Sequence, residues 1–233
     1  MNNGTCVITG VGWGTGNALA RKFANSGYSV AMLARRSDRL EQFESEIENA
    51  HAYPCDVADT TALKETLKKI AKDLGHPSVV IHNAVSGAWG TFMEIDPRDL
   101  EKTFQVNTMA LLHLAQLTVP KMMEAGYGSL ICTGNTAAHR GRAGYAAFAP
   151  TKAGQRILAQ SIAREAGPKG VHVAYITIDA VIDLRWTRKR YPDKPDDFFI
   201  KPDEIADEVF HVANQSKGAW SFDVEIRPHA ENW

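Results

Sequence analysis

Four glycines fall within eight residues in Thr9-Gly10-Val11-Gly12-Trp13-Gly14-Thr15-Gly16. The apolar run Cys6-Val7-Ile8-Thr9 leads into them. The segment from Asn17 to Asn25, with Leu19, Ala20, Phe23 and Ala24 at helical spacing, leads out. Residues without side chains let a backbone turn sharply from strand to helix and approach a ligand closely, while the free N–H groups and positive dipole end of the new helix face an anion. The chemistry to expect is the cradling of a pyrophosphate by Gly10, Gly12, Gly14, Thr15 and Gly16.

A second signal lies at the end of the next apolar run, Ser29 to Ala34, where Arg35 and Arg36 follow directly. In dinucleotide folds an acidic residue there bonds the ribose 2′-hydroxyl, and a neutral residue with a neighbouring arginine accommodates a 2′-phosphate instead. Ala34 with Arg35 and Arg36 therefore points to NADP(H). A third signal is Asn107, an amide on the otherwise apolar stripe Leu100, Phe104, Leu111, Leu114 and Thr118. A buried amide must be hydrogen-bonded, so Asn107 is either a structural satisfier or part of a site.

The elements that position these residues follow from hydrophobic periodicity. Asp38 can cap a helix with Leu40, Phe43 and Ile47 on one face, and Tyr53 to Val57 reads as a third strand ending near Asp56. Thr60 or Thr61 opens a helix carrying Leu63, Leu67, Ile70 and Leu74, closed by Gly75; Val79 to Ala84 is the fourth strand. One helix is expected over 97–124, a strand over 129–133, a helix over 149–166 and a strand over 171–178. The segment from Asp179 to Ile200 lacks a clear period and reads as a long loop or lid with short helical turns. A helix over 202–214 and an edge strand over 222–226 complete the chain. Alternating strands and helices of these lengths imply an α/β fold: a doubly wound parallel sheet, Rossmann-like, in a three-layer αβα sandwich.

The chain has 233 residues, 44% of them hydrophobic, and a formal net charge of −1, which fits one domain over 1–233 and gives no electrostatic footprint for nucleic acid or an anionic membrane. Met1-Asn2-Asn3-Gly4 runs straight into the first strand, and no apolar run is long enough to span a bilayer, so a soluble, cytoplasmic protein is expected. Cys6, Cys55 and Cys132 lie far apart in or beside apolar runs, which favours buried free thiols over a disulfide or metal site.

With these elements in place the sequence resembles the short-chain dehydrogenase/reductase family over nearly its whole length. Thr9-Gly10, Gly14 and Gly16 fit the family's cofactor turn and Asp56-Val57 its adenine-contacting pair. Asn83-Ala84 fits the motif closing the fourth strand, with Val85 where a glycine is usual; Asn107 and Lys152 fit the helix asparagine and the lysine of the catalytic tetrad. The resemblance implies a nicotinamide cofactor, carbonyl or alcohol chemistry, and a homodimer or homotetramer associating through the helices around 97–124 and 149–166. Ala159, Ala163 and Ala166 offer the second of those helices a small-residue face for a partner.

The sequence departs from the family pattern at the acid. The active-site tyrosine stands four residues before the lysine, and here that position is Phe148; the family's serine position, thirteen residues earlier, is Asn135. The usual Pro-Gly after the sixth strand is missing, with Ile178-Asp179-Ala180-Val181-Ile182-Asp183 in its place, leaving the backbone of Val181 to clasp the cofactor. Reducing a carbonyl by hydride leaves an alkoxide that needs a proton, which phenylalanine cannot give. Tyr145, seven residues before Lys152, matches the spacing of the enoyl-acyl-carrier-protein reductases, a divergent branch of the superfamily, and is either a substitute acid or a packing residue. The implied roles are then Lys152 at the nicotinamide ribose, Asn107 in support, Asn135 holding a substrate oxygen and Tyr145 as acid. The alternative is an NADP(H)-binding protein with little turnover, acting as redox sensor or scaffold.

Overall fold

The computed structural model describes residues 3–230; Met1 and Asn2, and the last three residues of the 1–233 range expected for the domain, lie outside it. The elements are β1 (Thr5–Thr9), α1 (Thr15–Asn25), β2 (Ser29–Ala34), α2 (Ser37–Glu46), β3 (Ala50–Pro54), α3 (Thr60–Asp73), β4 (Pro77–His82), α4 (Pro97–Phe104), α5 (Ala110–Ala125), β5 (Gly128–Asn135), α6 (Ala149–Ala166), β6 (Val171–Ile178), β7 (Val181–Ile182), α7 (Arg185–Arg190), β8 (Phe199–Ile200), α8 (Pro202–Ala213) and β9 (Asp223–Ile226). Seven strands form one parallel sheet in the order β3-β2-β1-β4-β5-β6-β9. One apolar cluster under α1, α2 and α8 covers one face, and a second under α3, α5 and α6 covers the other, which is the three-layer doubly wound architecture.

Strand order reverses between β1 and β4, because the chain winds outward to β3 before crossing back. In open α/β sheets the crevice beyond the carboxyl ends of the strands at such a point is where ligands bind. Both adjoining turns, Gly10–Gly14 and Asn83–Gly90, open there. The short turn after α3 closes at Gly75, in the left-handed region at φ +91°, and α5 stops at Gly126 with φ +71°. Cys6, Cys55 and Cys132 are buried free thiols. No helix among the described residues is long and apolar enough to cross a membrane.

Five expectations need correction. The helix over 97–124 is interrupted: α4 and α5 are joined by a π-helical turn, Gln105–Met109, and Asn107 sits in it. The third strand is β3, three residues earlier than read, because Cys55 N–H already turns onto Ala34 O at 2.9 Å and leaves Asp56 beyond the ladder. Asp38 does not cap α2; it lies in the first turn, where its carboxylate pairs with Arg36. The segment 179–200 has structure of its own, a two-stranded ladder of β7 with β8 flanking α7, held by Asp183, which pairs with Arg188 and Lys201. Those two cations hold the Asp183 carboxyl well below the usual carboxylate range. Finally, Ala159 and Ala166 are buried in the chain's own core, so they offer no face to a partner; on the outer surfaces of α5 and α6 stand Leu117 and Ile157.

Candidate active site

The glycines of the first turn divide by what surrounds them. Gly10 has φ +74°, and a Cβ there would lie 2.5 Å from Ala84 Cα; a Cβ on Gly16 would lie 2.5 Å from Gly10 O. These two are required by close packing of β1, α1 and the loop after β4. Gly12 is open: among the described residues, chain neighbours aside, a Cβ there would meet Arg39 Nη1 at 3.4 Å, and Gly14 lies beneath Leu184 of the 179–200 segment. An open glycine at a helix N-terminus with a guanidinium beside it is an anion site in its donor chemistry. Thr15 begins α1 at this turn and is buried.

Arg35 is exposed at the end of β2, whereas Arg36 gives its guanidinium to Asp38, with Nε to Oδ1 at 3.1 Å. Arg39 was missed by the sequence reading, although its place in the first turn of α2 was a usable signal, since helical side chains lean toward the N-terminus. Asp56 accepts from Ala58 N–H at 3.0 Å in a local turn, and Val57 is buried. Val181 pairs with Phe199 in the small ladder, so part of its backbone is already engaged.

Beneath the crevice lies a continuous polar network. Thr9 Oγ1 accepts from the backbone N–H groups of Asn83 and Ala84, both at 3.2 Å, so its own hydrogen points to His82 Nδ1 at 3.0 Å. That leaves His82 Nε2 protonated, donating to Asn107 O at 3.3 Å. Complete burial, reinforced by the nearby Lys152 ammonium, pushes the His82 pKa down to about 4, and the ring is a neutral link. Asn83 joins three strands: Nδ2 donates to Gly10 O at 3.0 Å, and Oδ1 accepts from Thr133 Oγ1 at 2.9 Å. The wide π turn places the Asn107 amide between the loop after β4 and α6. Its Oδ1 accepts from Ser86 N–H and its Nδ2 donates to Ser86 O and Thr151 Oγ1, each at 2.9 Å. His82 and Thr151 were also missed by the sequence reading, having no spacing signature.

Lys152 is buried on α6. Its Nζ donates to Thr133 O at 3.2 Å and to Gln155 Oε1 at 2.5 Å. Gln155 Oε1 also accepts from the Tyr175 hydroxyl at 3.4 Å. Gly134 makes room for that phenol, since a Cβ there would collide with it. Burial pushes the Lys152 pKa down to about 8 and raises the Tyr175 phenol far above its ordinary range. All of these partners lie on β5, β6 and α6, and Tyr145 is not among them.

Phe148 is buried just before α6. The Trp89 ring packs on it at 4.7 Å between centroids and on Tyr145 at 4.8 Å, while Tyr145 and Phe148 stand 6.1 Å apart. Gly90 N–H donates to Gly144 O at 3.0 Å and ties the two loops together. Tyr145 also walls a cavity of about 660 Å³, with Phe92, Met93, Ala137, Arg140 and Arg142 among its lining residues. Asn135 Oδ1 caps the short turn after β5 by accepting from Ala137 N–H at 3.1 Å, which leaves its two Nδ2 hydrogens for another acceptor. The structure thus brings Asn107 and Lys152 to one network and Tyr145 and Phe148 to one aromatic cluster, with Asn135 following directly on Gly134.

Comparison with known proteins gives the family and the fold. Residues 4–187 match the short chain dehydrogenase family. The chain belongs to that family. An uncharacterized short-chain type dehydrogenase/reductase of Sinorhizobium fredii is 30% identical over 182 residues, covering 74% of this chain and 72% of that protein. An uncharacterized oxidoreductase of Staphylococcus epidermidis is 24% identical over 223 residues, 95% of this chain and 96% of the relative. Among solved structures, the alcohol dehydrogenase of the archaeon Thermococcus sibiricus, complexed with 5-hydroxy-NADP, superposes with a TM-score of 0.87 at 26% identity over 98% of both chains.

Proposed function

We propose that this family member is an NADP(H)-dependent oxidoreductase with an atypical active site, acting on a small carbonyl, alcohol or activated C=C compound. The observation that carries the reading is the open glycine turn at the strand-order switch, with Arg39 over Gly12, Arg35 free beside it and Ala34 where a carboxylate would repel a 2′-phosphate. Arg36 is spent on Asp38, so Arg35 and Arg39 are the residues assigned to the phosphate groups. The Thermococcus sibiricus complex with an NADP derivative supports the same cofactor class. The bound cofactor supplies a hydride to the acceptor.

This chain's own residues then bind and orient. Gly10, Gly12, Gly14, Thr15 and Gly16 cradle the pyrophosphate, Asp56 and Val57 border the adenine, and Asn83, Ala84 and the backbone of Val181 border the nicotinamide half. Asn107 holds the loop after β4 through both backbone groups of Ser86, and Lys152 places positive charge behind β5. Asn135 and Tyr145 are the hydrogen-bond donors left for a substrate oxygen, and Tyr145 is the candidate acid.

Titration of NADPH and NADH by fluorescence tests the reading. At least tenfold preference for NADPH is expected, because one charge-assisted bond contributes about 1.5–3 kcal/mol and each 1.4 kcal/mol is about tenfold. Equal affinities, or an NADPH affinity unmoved by both Arg35→Ala and Arg39→Ala, would sink it. A second reading, a cofactor-binding protein with little turnover, is favoured by one observation: Phe148 is buried in the acid's place while Lys152 is turned onto Gln155. A panel of aldehydes, ketones and enoyl thioesters that elicits no NADPH oxidation despite tight NADPH binding would select it.

A further inference from the structure

The residues around Tyr145 combine a missing acid with an aromatic wall. Phe148 offers no proton, Asn135 can donate a hydrogen bond but not a proton at neutral pH, and Lys152 is engaged with Thr133 O and Gln155, so it gives no hydrogen bond to Tyr145, the candidate acid. Trp89, 60% exposed, lies against Phe148 and Tyr145 and leaves much of its ring surface uncovered. The adjoining cavity is lined by Phe92, Met93 and several alanines, and its charged lining residues are cationic, Arg140 and Arg142, with His139 beside them. The Arg142 guanidinium lies 5.7 Å from the centre of the Tyr145 ring. Such a site suits a flat, apolar acceptor that becomes an anion during the reaction.

We propose that the cavity beside Trp89 and Tyr145 takes a quinone-type aromatic acceptor, reduced by hydride to its hydroquinone without a protein acid. The inference rests on the oxidoreductase reading above and names the acceptor class for that same site. A ketone reduced by hydride becomes an alkoxide, whose conjugate acid is about as weak as water, so an acid must be in place. A quinone takes the hydride, two electrons and one proton, at one oxygen. An O–H bond forms there as the C–H bond of the reduced nicotinamide breaks, the ring becomes aromatic, and the second oxygen is left as a phenolate. A phenol ionises near pH 10, as tyrosine does, so water protonates that oxygen at neutral pH with no catalytic acid. The balance is reduced nicotinamide plus quinone plus one solvent proton, giving oxidised nicotinamide plus hydroquinone. Arg140 and Arg142 stabilise the phenolate, and Trp89 with Tyr145 stacks on the ring.

The test uses the full chain and 1,4-naphthoquinone. Binding is read without cofactor by quenching of tryptophan fluorescence, and turnover by anaerobic NADPH oxidation. The expected result is saturable quenching that weakens about threefold to tenfold in Trp89→Leu, the worth of one aromatic contact, together with hydroquinone formation. Trp89 is largely exposed, so the variant keeps its fold, which circular dichroism verifies. In Phe148→Tyr, the ratio of ketone to naphthoquinone rate rises at least ~10²-fold, since an acid helps only the alkoxide. If NADPH binds and a simple ketone or aldehyde is reduced while naphthoquinone neither quenches nor turns over, the inference is overturned and the oxidoreductase reading stands. If NADPH itself does not bind, both are overturned.

Discussion

Replacing Lys152 with methionine separates the energetic role of the buried ammonium from its assigned role at the cofactor. Burial lowers the Lys152 pKa from 10.5 to about 8. Below pH 8 the group is charged in both folded and unfolded chains, and the folded state carries the full desolvation cost. As pH rises through 8 the folded chain sheds that proton while the unfolded chain keeps its own to about 10.5, so stability rises with pH. The shift corresponds to a penalty of about 3 kcal/mol at pH 7, about 2 at pH 9 and about 1 at pH 10. Methionine has nearly the same length and no charge, so Lys152→Met removes this pH dependence. It also removes the Nζ bonds to Thr133 O and Gln155 Oε1, an offset of about 1–3 kcal/mol that does not vary with pH. The slope is therefore the observable. Urea unfolding at pH 7, 8 and 9 should show the stability of wild type gaining about 1 kcal/mol on that of the variant between pH 7 and 9. The buried thiols of Cys6 and Cys132, with raised pKa values, lose stability above pH 9 in both proteins and cancel in the difference. Parallel pH profiles for the two proteins would refute the reasoning, and would mean that water reaches Nζ.

Gly12→Ala should leave the urea midpoint nearly unchanged while weakening NADPH binding at least tenfold, since a Cβ there meets little protein but stands where a phosphate approaches. Gly16→Ala, whose Cβ would strike the Gly10 carbonyl, should lower the midpoint as well. His82→Leu removes the acceptor of the Thr9 hydroxyl hydrogen and one bond to the Asn107 carbonyl and should cost about 2 kcal/mol or more in urea unfolding; a change below about 0.5 kcal/mol would show that the chain of bonds is not cooperative. Tyr145→Phe should reduce ketone turnover at saturating NADPH by about 10²-fold if the phenol is the acid, with cofactor affinity unmoved; an equal ketone rate would leave it as a wall of the cavity. Sedimentation should give a homodimer or homotetramer, with Leu117 and Ile157 on the shared face, and a species at the 25.6 kDa chain mass would rule this out.

The parts of the fold that were legible in the sequence are those where one local pattern decides the outcome. The ranges read for β2, α6 and β6 agree with the structure residue for residue, because continuous burial of a strand or a capped helical stripe leaves its own signature. The strand at β3 was misplaced because Ala50-His51-Ala52 has little strand character alone and is held by its ladder to Val30, Ala31 and Met32. The π turn was invisible because the apolar stripe continues on both sides of it, and the widening shows only in the backbone, where Ala110 N–H reaches Gln105 O five residues back. Site residues divide in the same way. The glycine turn was readable from its spacing, Asn107 as an amide on an apolar stripe, and Lys152 only through the family resemblance. The orientation of Lys152 was not, since it depends on Gln155, Tyr175 and the space at Gly134, which lie on three different elements.

That last grouping bears on what the site can do. An ammonium gains most from a carboxylate partner, yet among the described residues the hydrogen-bond acceptors of Lys152 are a backbone carbonyl and a side-chain amide, both neutral. Such an arrangement keeps a positive potential behind β5 while holding the ammonium easy to deprotonate. Burial, reinforced by the same potential, keeps His82 neutral, and so preserves its bond to Asn107, at any pH above about 4. The positioning half of the site is therefore intact and mutually supported from Thr9 to Thr151. On the proposed reading Phe148 stands in place of a phenol, and unless Tyr145 replaces that acid the loss is about 10²–10⁴ in rate for any acceptor that must be protonated as it is reduced. Such a site then favours acceptors whose reduced form is a weak base. Among hydride acceptors that fit beside Trp89, those are the ones whose negative charge is delocalised into a ring.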